Sequence, residues 1–177
     1  NGLPLIVFEL KSMTREDVDL EDGYRQLKNY MNNHIPSLFY YNQFLVVSDG
    51  ATAKAGTITC NYQRFNEWKK TSITDEAVNH NTHEPLIRGM MSKEVVLDLI
   101  RNFILFQDDA KILPAYHQYY GVKKAIERTL KTTDGRAGVI WHTQGSGKSF
   151  SMVFYAGNMI TKMNNPTIIV VTDRNDL

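Results

Sequence analysis

The stretch His142–Ser149 (HTQGSGKS) constrains this chain more than any other. It follows a short apolar run, Ala137–Trp141, and precedes a segment of helical periodicity over 148–163. A second apolar run, Thr167–Thr172 (TIIVVT), comes next. Strand, glycine loop, helix and strand make the opening βαβ unit of a parallel sheet. Gly145 and Gly147 carry no Cβ, so backbone N–H groups can converge on phosphate oxygens there. The helix N-terminus adds partial positive charge. In such a loop Thr143, Gly145, Ser146 and Gly147 form the cradle, Lys148 reaches the β- and γ-phosphates, and the Ser149 hydroxyl sits on Mg²⁺. The generic pattern has glycine where this chain has His142, so the match is incomplete at one position. A surface turn that happens to contain GSGKS is the alternative, and the flanking βαβ pattern argues against it.

Hydrolysis of a bound nucleotide also needs an acid at the end of a second strand. Beyond Ser149 the strand-end acid is Asp173, beside Arg174, a pair better suited to a coupling or DNA-contact loop. This stretch by itself is therefore expected not to hydrolyse ATP.

At the other end, Leu3–Leu10 (LPLIVFEL) is a nearly continuous apolar run, as in a buried strand. It delivers Glu9 and Lys11, which at i and i+2 point to one face. A carboxylate beside an ammonium can bind Mg²⁺ and polarise an attacking water, the chemistry of metal-dependent phosphodiester cleavage. Glu-x-Lys alone is a weak signal. Gln26 and Tyr30, at i and i+4 of a helix expected over Tyr24–Asn33, share a face that could approach the same site. An ordinary amphipathic helix would show the same spacing. One carboxylate does not make a two-metal site, so a second acid is expected before Asn1.

Between the two ends, Thr14–Asp22 reads as a charged loop, and Gln43–Val47 and Ala53–Cys60 as a hairpin turning at Ser-Asp-Gly. Residues 1–62 thus read β-α-β-β. Residues 64–92 look irregular. A helix opens at Ser92 and is expected to run to about Gln107, followed by an acidic break at Asp108–Asp109 and a second helix over Ala115–Thr132. His80 and His83 lie in a polar loop (NHNTHE) without a cysteine or third partner, and read as solvated. His34 and His117 read as packing or surface residues, and Trp68 and Trp141 as core or interface anchors. The tyrosines 116, 119 and 120 read as a packed helix face, and the pairs Lys69–Lys70 and Lys123–Lys124 as solvated.

Composition excludes several classes. The 177 residues are 42% apolar and 22% charged, which is globular rather than disordered or low-complexity. Twenty Lys+Arg against 19 Asp+Glu leave a net charge of +1, so there is no global basic field and any DNA contact must be local. A lone cysteine, Cys60, excludes an internal disulfide and a cysteine zinc cage, and suits a reducing cytoplasm. No apolar run approaches the ~18 residues of a membrane span. The chain starts directly before one strand-like run and stops just after another, so it reads as a piece of something longer.

Taken together, NGLPLIVFELK, FLVVSDG, RFNEWK, IWHTQGSGKSF and IIVVTDRNDL resemble the restriction (R, motor and nuclease) subunit of type I restriction–modification enzymes. Residues 70–110 match least distinctively. The resemblance implies an α/β fold class. The C-terminal part of a PD-(D/E)xK nuclease-like mixed sheet (1–70) is followed by a helical connector (71–114). The start of a RecA-like P-loop parallel sheet (115–177) comes last. It implies Glu9 as a metal-binding carboxylate, Lys11 as the catalytic lysine, and Gln26 and Tyr30 as a QxxxY motif. Lys148 and Ser149 fall on motif I, where His142 is usual for the family. Gln118 falls where the family reads adenine, and Asp173 and Arg174 on the motif after the P-loop helix. The implied cofactors are ATP and Mg²⁺. The implied partners are double-stranded DNA and the methyltransferase and specificity subunits. The family's first nuclease Asp, its motif II and its second lobe have no counterpart in the chain. Two other readings stay open: a helicase-type ATPase of another family with a decayed nuclease, and a nucleotide-binding DNA scaffold without catalysis.

Overall fold

The computed structural model describes residues 2–12 and 19–172. The chain divides into two compact units, Asn1–Tyr116 and His117–Leu177.

The first unit is built on a four-stranded mixed sheet in the order β1-β2-β3-β4. β1 (Ile6–Leu10) runs parallel to β2 (Phe44–Ser48), with Glu9 opposite Val47 and Leu10 opposite Ser48. β2 turns back into β3 (Ala53–Gly56), and β4 (Asn66–Glu67) adds a short antiparallel edge. The parallel crossover is α1 (Leu20–Asn29). β2 is buried along its whole length because it is flanked on both sides, which is why it reads FLVVS without alternation.

α1 begins earlier than its apolar periodicity alone indicates. Asp19 accepts from the Asp22 backbone N–H and Asp22 accepts from Asp19 N–H, a reciprocal capping box built from aspartates. The last turn loosens into a π-helical segment, Tyr30–His34. Leu27, Phe39, Leu45, Val47 and Phe65 form the core between α1 and the sheet. Each fully buried side chain of this kind contributes about 1.5–3 kcal/mol. Gly23 lets the helix come close: a Cβ there would already touch Val47 Cγ1 at 3.4 Å and Glu9 Cγ at 3.5 Å.

β3 ends at Gly56 rather than Cys60. Thr57 and Cys60 instead close a turn in which the Cys60 Sγ accepts from the Thr57 backbone N–H. Past Trp68, a short helix α2 (His83–Pro85) continues as a π-helical turn, Leu86–Met90. α3 (Lys93–Asn102) follows, capped by the Ser92 side chain. α3 stops at Asn102, short of Gln107, because the apolar run from Ile104 is claimed by a hairpin. β5 (Leu105–Gln107) pairs with β6 (Ala110–Ile112) around Asp108–Asp109, with Asp108 left-handed at φ 50°.

The second unit holds α4 (Tyr116–Lys131) and α5 (Lys148–Lys162). The two strands expected at 137–141 and 167–172 are not formed: neither segment has a ladder partner among the described residues. A parallel strand is stable only when flanked and covered on both faces. Here Val139 is 94% and Val171 87% exposed. Trp141 is likewise exposed and anchors nothing, whereas Trp68 is fully buried.

Candidate functional site

The first unit brings Glu9, Lys11, Gln26 and Tyr30 into one contiguous chain of contacts. Glu9 stands in β1 and Lys11 one residue past it; Gln26 stands in α1 and Tyr30 opens the π-helical segment that continues it. Lys11 Nζ lies 3.0 Å from Glu9 Oε1, both side chains largely buried at 15% exposure. The same ammonium donates to Gln26 Oε1, and Gln26 Nε2 donates to the Tyr30 hydroxyl. Lysine has three protons and no lone pair, so a carboxylate and an amide oxygen fix its direction. Gln26 is oriented in turn, because its nitrogen faces Tyr30 and its oxygen must face Lys11. The arrangement aims a cation and a carboxylate from one strand end. Its Glu9 could offer one carboxylate to a hard cation. Among the described residues no three His, Cys, Asp or Glu gather as a metal cage.

Lys11 is also fixed through its backbone. Its N–H donates to the Ser48 carbonyl at 2.7 Å, one step past the end of β1. Ser48 is fully buried, and its Oγ donates to Thr52 O at 2.8 Å, accepts from Gly50 N–H at 3.0 Å and meets His83 Nδ1 at 2.7 Å. His83 is therefore not a solvated loop residue as its polar neighbours suggest; His80 is exposed. The Ser-Asp-Gly sequence signals only the turn, and nothing local pairs Ser48 with a histidine so far along the chain.

In the second unit the glycine loop stands at the N-terminus of α5. Gly147 is left-handed (φ 76°, ψ 39°) at the N-cap, and no side chain caps the helix. Its uncapped N–H groups are the classical donors for an anion. Lys148 Nζ donates to the His142 and Thr143 carbonyls at 3.0 and 2.9 Å, folded onto its own loop. Ser149 is exposed beside it, with Gly145 open and left-handed (φ 78°). Thr143 O accepts the Ser146 hydroxyl at 2.7 Å, which closes the loop.

α4 grips this loop at both ends. Gln118 is buried, and its Nε2 donates to Gly147 O at 2.8 Å. A Cβ on Gly147 would lie 2.6 Å from that nitrogen, so glycine is required twice over. His117 bonds Ser146 O at 3.2 Å and packs edge-on against His142, ring centres 5.1 Å apart. Burial, His117 and Lys148 all hold the His142 imidazole below its ordinary pKa. The role of His117 escaped the sequence because the partner ring arrives from a distant loop. Tyr119 and Tyr120 are buried and packed edge-on, as a helix face should be. Asp173 and Arg174 lie outside the described residues.

Comparison with known proteins accounts for both ends. Residues 1–64 match the family described as type I restriction enzyme R protein N terminus, and residues 117–177 match the SWI2/SNF2 ATPase family. The type I restriction enzyme HindI endonuclease subunit of Haemophilus influenzae is 46% identical over all of this chain, which spans 18% of that protein. A Methanocaldococcus jannaschii protein carrying the name MjaIXP type I endonuclease subunit is 33% identical over all of the chain and 19% of its own length. The SauCOLORF180P endonuclease subunit of Staphylococcus aureus is 28% identical over the same full span. The chain thus spans about a fifth of the curated relatives it matches. Among the described residues no helix is long and apolar enough to cross a membrane. With one match at each end and relatives aligned throughout, the chain belongs to the restriction-subunit family of type I restriction–modification enzymes.

Proposed function

We propose that this chain is part of a subunit that uses ATP to translocate double-stranded DNA and cleaves it in a Mg²⁺-dependent reaction. The first unit belongs to the nuclease and the second begins the motor. The proposed setting is a cytoplasmic complex with methyltransferase and specificity subunits. The observation that carries the reading is the unbroken contact chain Glu9–Lys11–Gln26–Tyr30.

Magnesium, when bound, would supply positive charge at the scissile phosphate and lower the pKa of a bound water. Glu9 would hold it. Lys11, with two of its protons directed to Glu9 and Gln26, would turn the third toward the attacking water or the scissile phosphate. Gln26 passes the constraint to α1; the donor-only Lys11 fixes which end of the amide faces it, and Tyr30 accepts from the other end. In the second unit Lys148 exchanges two backbone carbonyls for β- and γ-phosphate oxygens, and Ser149 would hold the nucleotide's metal. Gln118 holds the cradle from below through Gly147 O.

The test uses the full-length subunit in its complex. Glu9→Ala and Lys11→Ala should each lower DNA cutting at least ~100-fold, on the scale expected for loss of a positioned catalytic group, while leaving DNA-stimulated ATP hydrolysis intact. Lys148→Ala should abolish both. Unchanged cutting by Glu9→Ala would leave a motor with a decayed nuclease; nucleotide binding without turnover would leave a scaffold.

A further inference from the structure

The nuclease site is braced by a histidine that no motif marks. Lys11 is tied to the sheet by the Ser48 carbonyl, and Ser48 by its side chain to three groups. Two of these, Thr52 O and Gly50 N–H, belong to the β2–β3 turn itself. That turn also closes on its own through Asp49, whose Oδ1 accepts from Ala51 N–H at 2.9 Å and Thr52 N–H at 2.7 Å. Only the third group comes from elsewhere in the fold. It is the His83 ring, on the segment that opens α2.

This segment clasps the turn at three points. Thr82, 2% exposed, accepts from Ala53 N–H through Oγ1 at 3.2 Å. His83 N–H donates to Ala51 O at 3.0 Å. His83 Nδ1 meets Ser48 Oγ at 2.7 Å. The Ser48 hydroxyl has one proton and gives it to Thr52 O, so the His83 contact is completed by a proton on Nδ1. Ser48 then makes every bond it can, in a place where an orphaned hydroxyl would cost about 1–3 kcal/mol. Losing the ring leaves the sheet and the self-closed turn in place. It takes from Ser48 Oγ the one partner outside the turn, and with it the clamp on the residue whose carbonyl sets the height of Lys11.

We propose that His83 is a positioning residue for the nuclease: through Ser48 it fixes the backbone of Lys11 and so the aim of the Lys11 ammonium. This rests on the nuclease reading above. Displacement of a reacting group by ~1 Å from a remote change is worth up to about 100-fold in rate.

The experiment measures cutting, ATP hydrolysis and thermal unfolding of the full-length subunit in its complex. His83→Ala should cut roughly 10–100-fold more slowly at saturating DNA and magnesium, the range set by such a misplacement. The magnesium needed for half-maximal rate and the DNA-stimulated ATP hydrolysis should stay unchanged. His83→Asn, whose side-chain N–H can replace the Nδ1 proton, should recover most of the rate, and Ser48→Ala should reproduce the loss. Native cutting by His83→Ala overturns the proposal. So does a loss shared by cutting, ATP hydrolysis and melting temperature that asparagine does not rescue, because that is a folding defect. Native cutting by Glu9→Ala overturns the underlying nuclease reading instead, and the two failures are seen in different variants.

Discussion

Lys11 and Lys148 are held in opposite ways. Lys11 keeps a carboxylate and an amide oxygen, both side chains, so its counter-charge travels with it. Lys148 rests on two backbone carbonyls and is exposed, so on the proposed reading a phosphate would meet a cation with no carboxylate to displace. The first lysine is built to stay and the second to be recruited. His142 adds a pH dependence to the second. Its folded pKa lies below the ordinary value of about 6.5 through burial first, then His117 and Lys148. The folded state thus favours the neutral ring, and this contribution is complete above the unfolded pKa and lost as pH falls through the folded one. The melting temperature of the second unit should therefore drop between pH 7.5 and 5, and His142→Asn should flatten that slope. An equal slope in both proteins would place the titration elsewhere.

Among the elements, the π-helical turn Leu86–Met90 depends on a single missing side chain. A Cβ on Gly89 would lie 2.3 Å from the Lys70 carbonyl oxygen and 3.0 Å from Trp68 Nε1. Backbone cannot rotate away, so Gly89→Ala should cost about 1–3 kcal/mol, the usual penalty of overpacking, read as an earlier thermal transition. The local rules that sequence carries work well where an element is self-contained. Period two places Glu9 with Lys11 and period four places Gln26 with Tyr30, and the parallel crossover joins them. They fail where long-range partners decide. The run from Ile104 to Phe106 is equally apolar for helix or strand. Lys111, tying β6 to Asn42 O at 3.0 Å and Gln43 Oε1 at 2.8 Å, shows why strand wins. The Lys111 backbone does the same work, its N–H donating to Thr59 Oγ1 at 2.8 Å and its carbonyl accepting from Thr57 Oγ1 at 2.7 Å. Burial lowers the pKa of its ammonium, which has carbonyl oxygens for partners. The Ser48–His83 bond was illegible for the same reason, since its two ends lie in different elements.

For the molecule as a whole, near-neutral net charge leaves little repulsion between copies. Ile169 is 82% and Trp141 81% exposed in segments rich in β-branched and aromatic residues. Such stretches pair readily with their own kind. The isolated 177-residue chain should scatter light increasingly at tens of micromolar, a typical range for self-association of exposed strands. Val139→Lys combined with Val171→Lys should suppress the scatter and leave the far-ultraviolet dichroism unchanged; persistent scatter would point to another surface. In a cell, the same segments set a clock: from the moment of synthesis folding races intermolecular pairing, and a holdase that binds them would raise the yield of folded chain without touching either site.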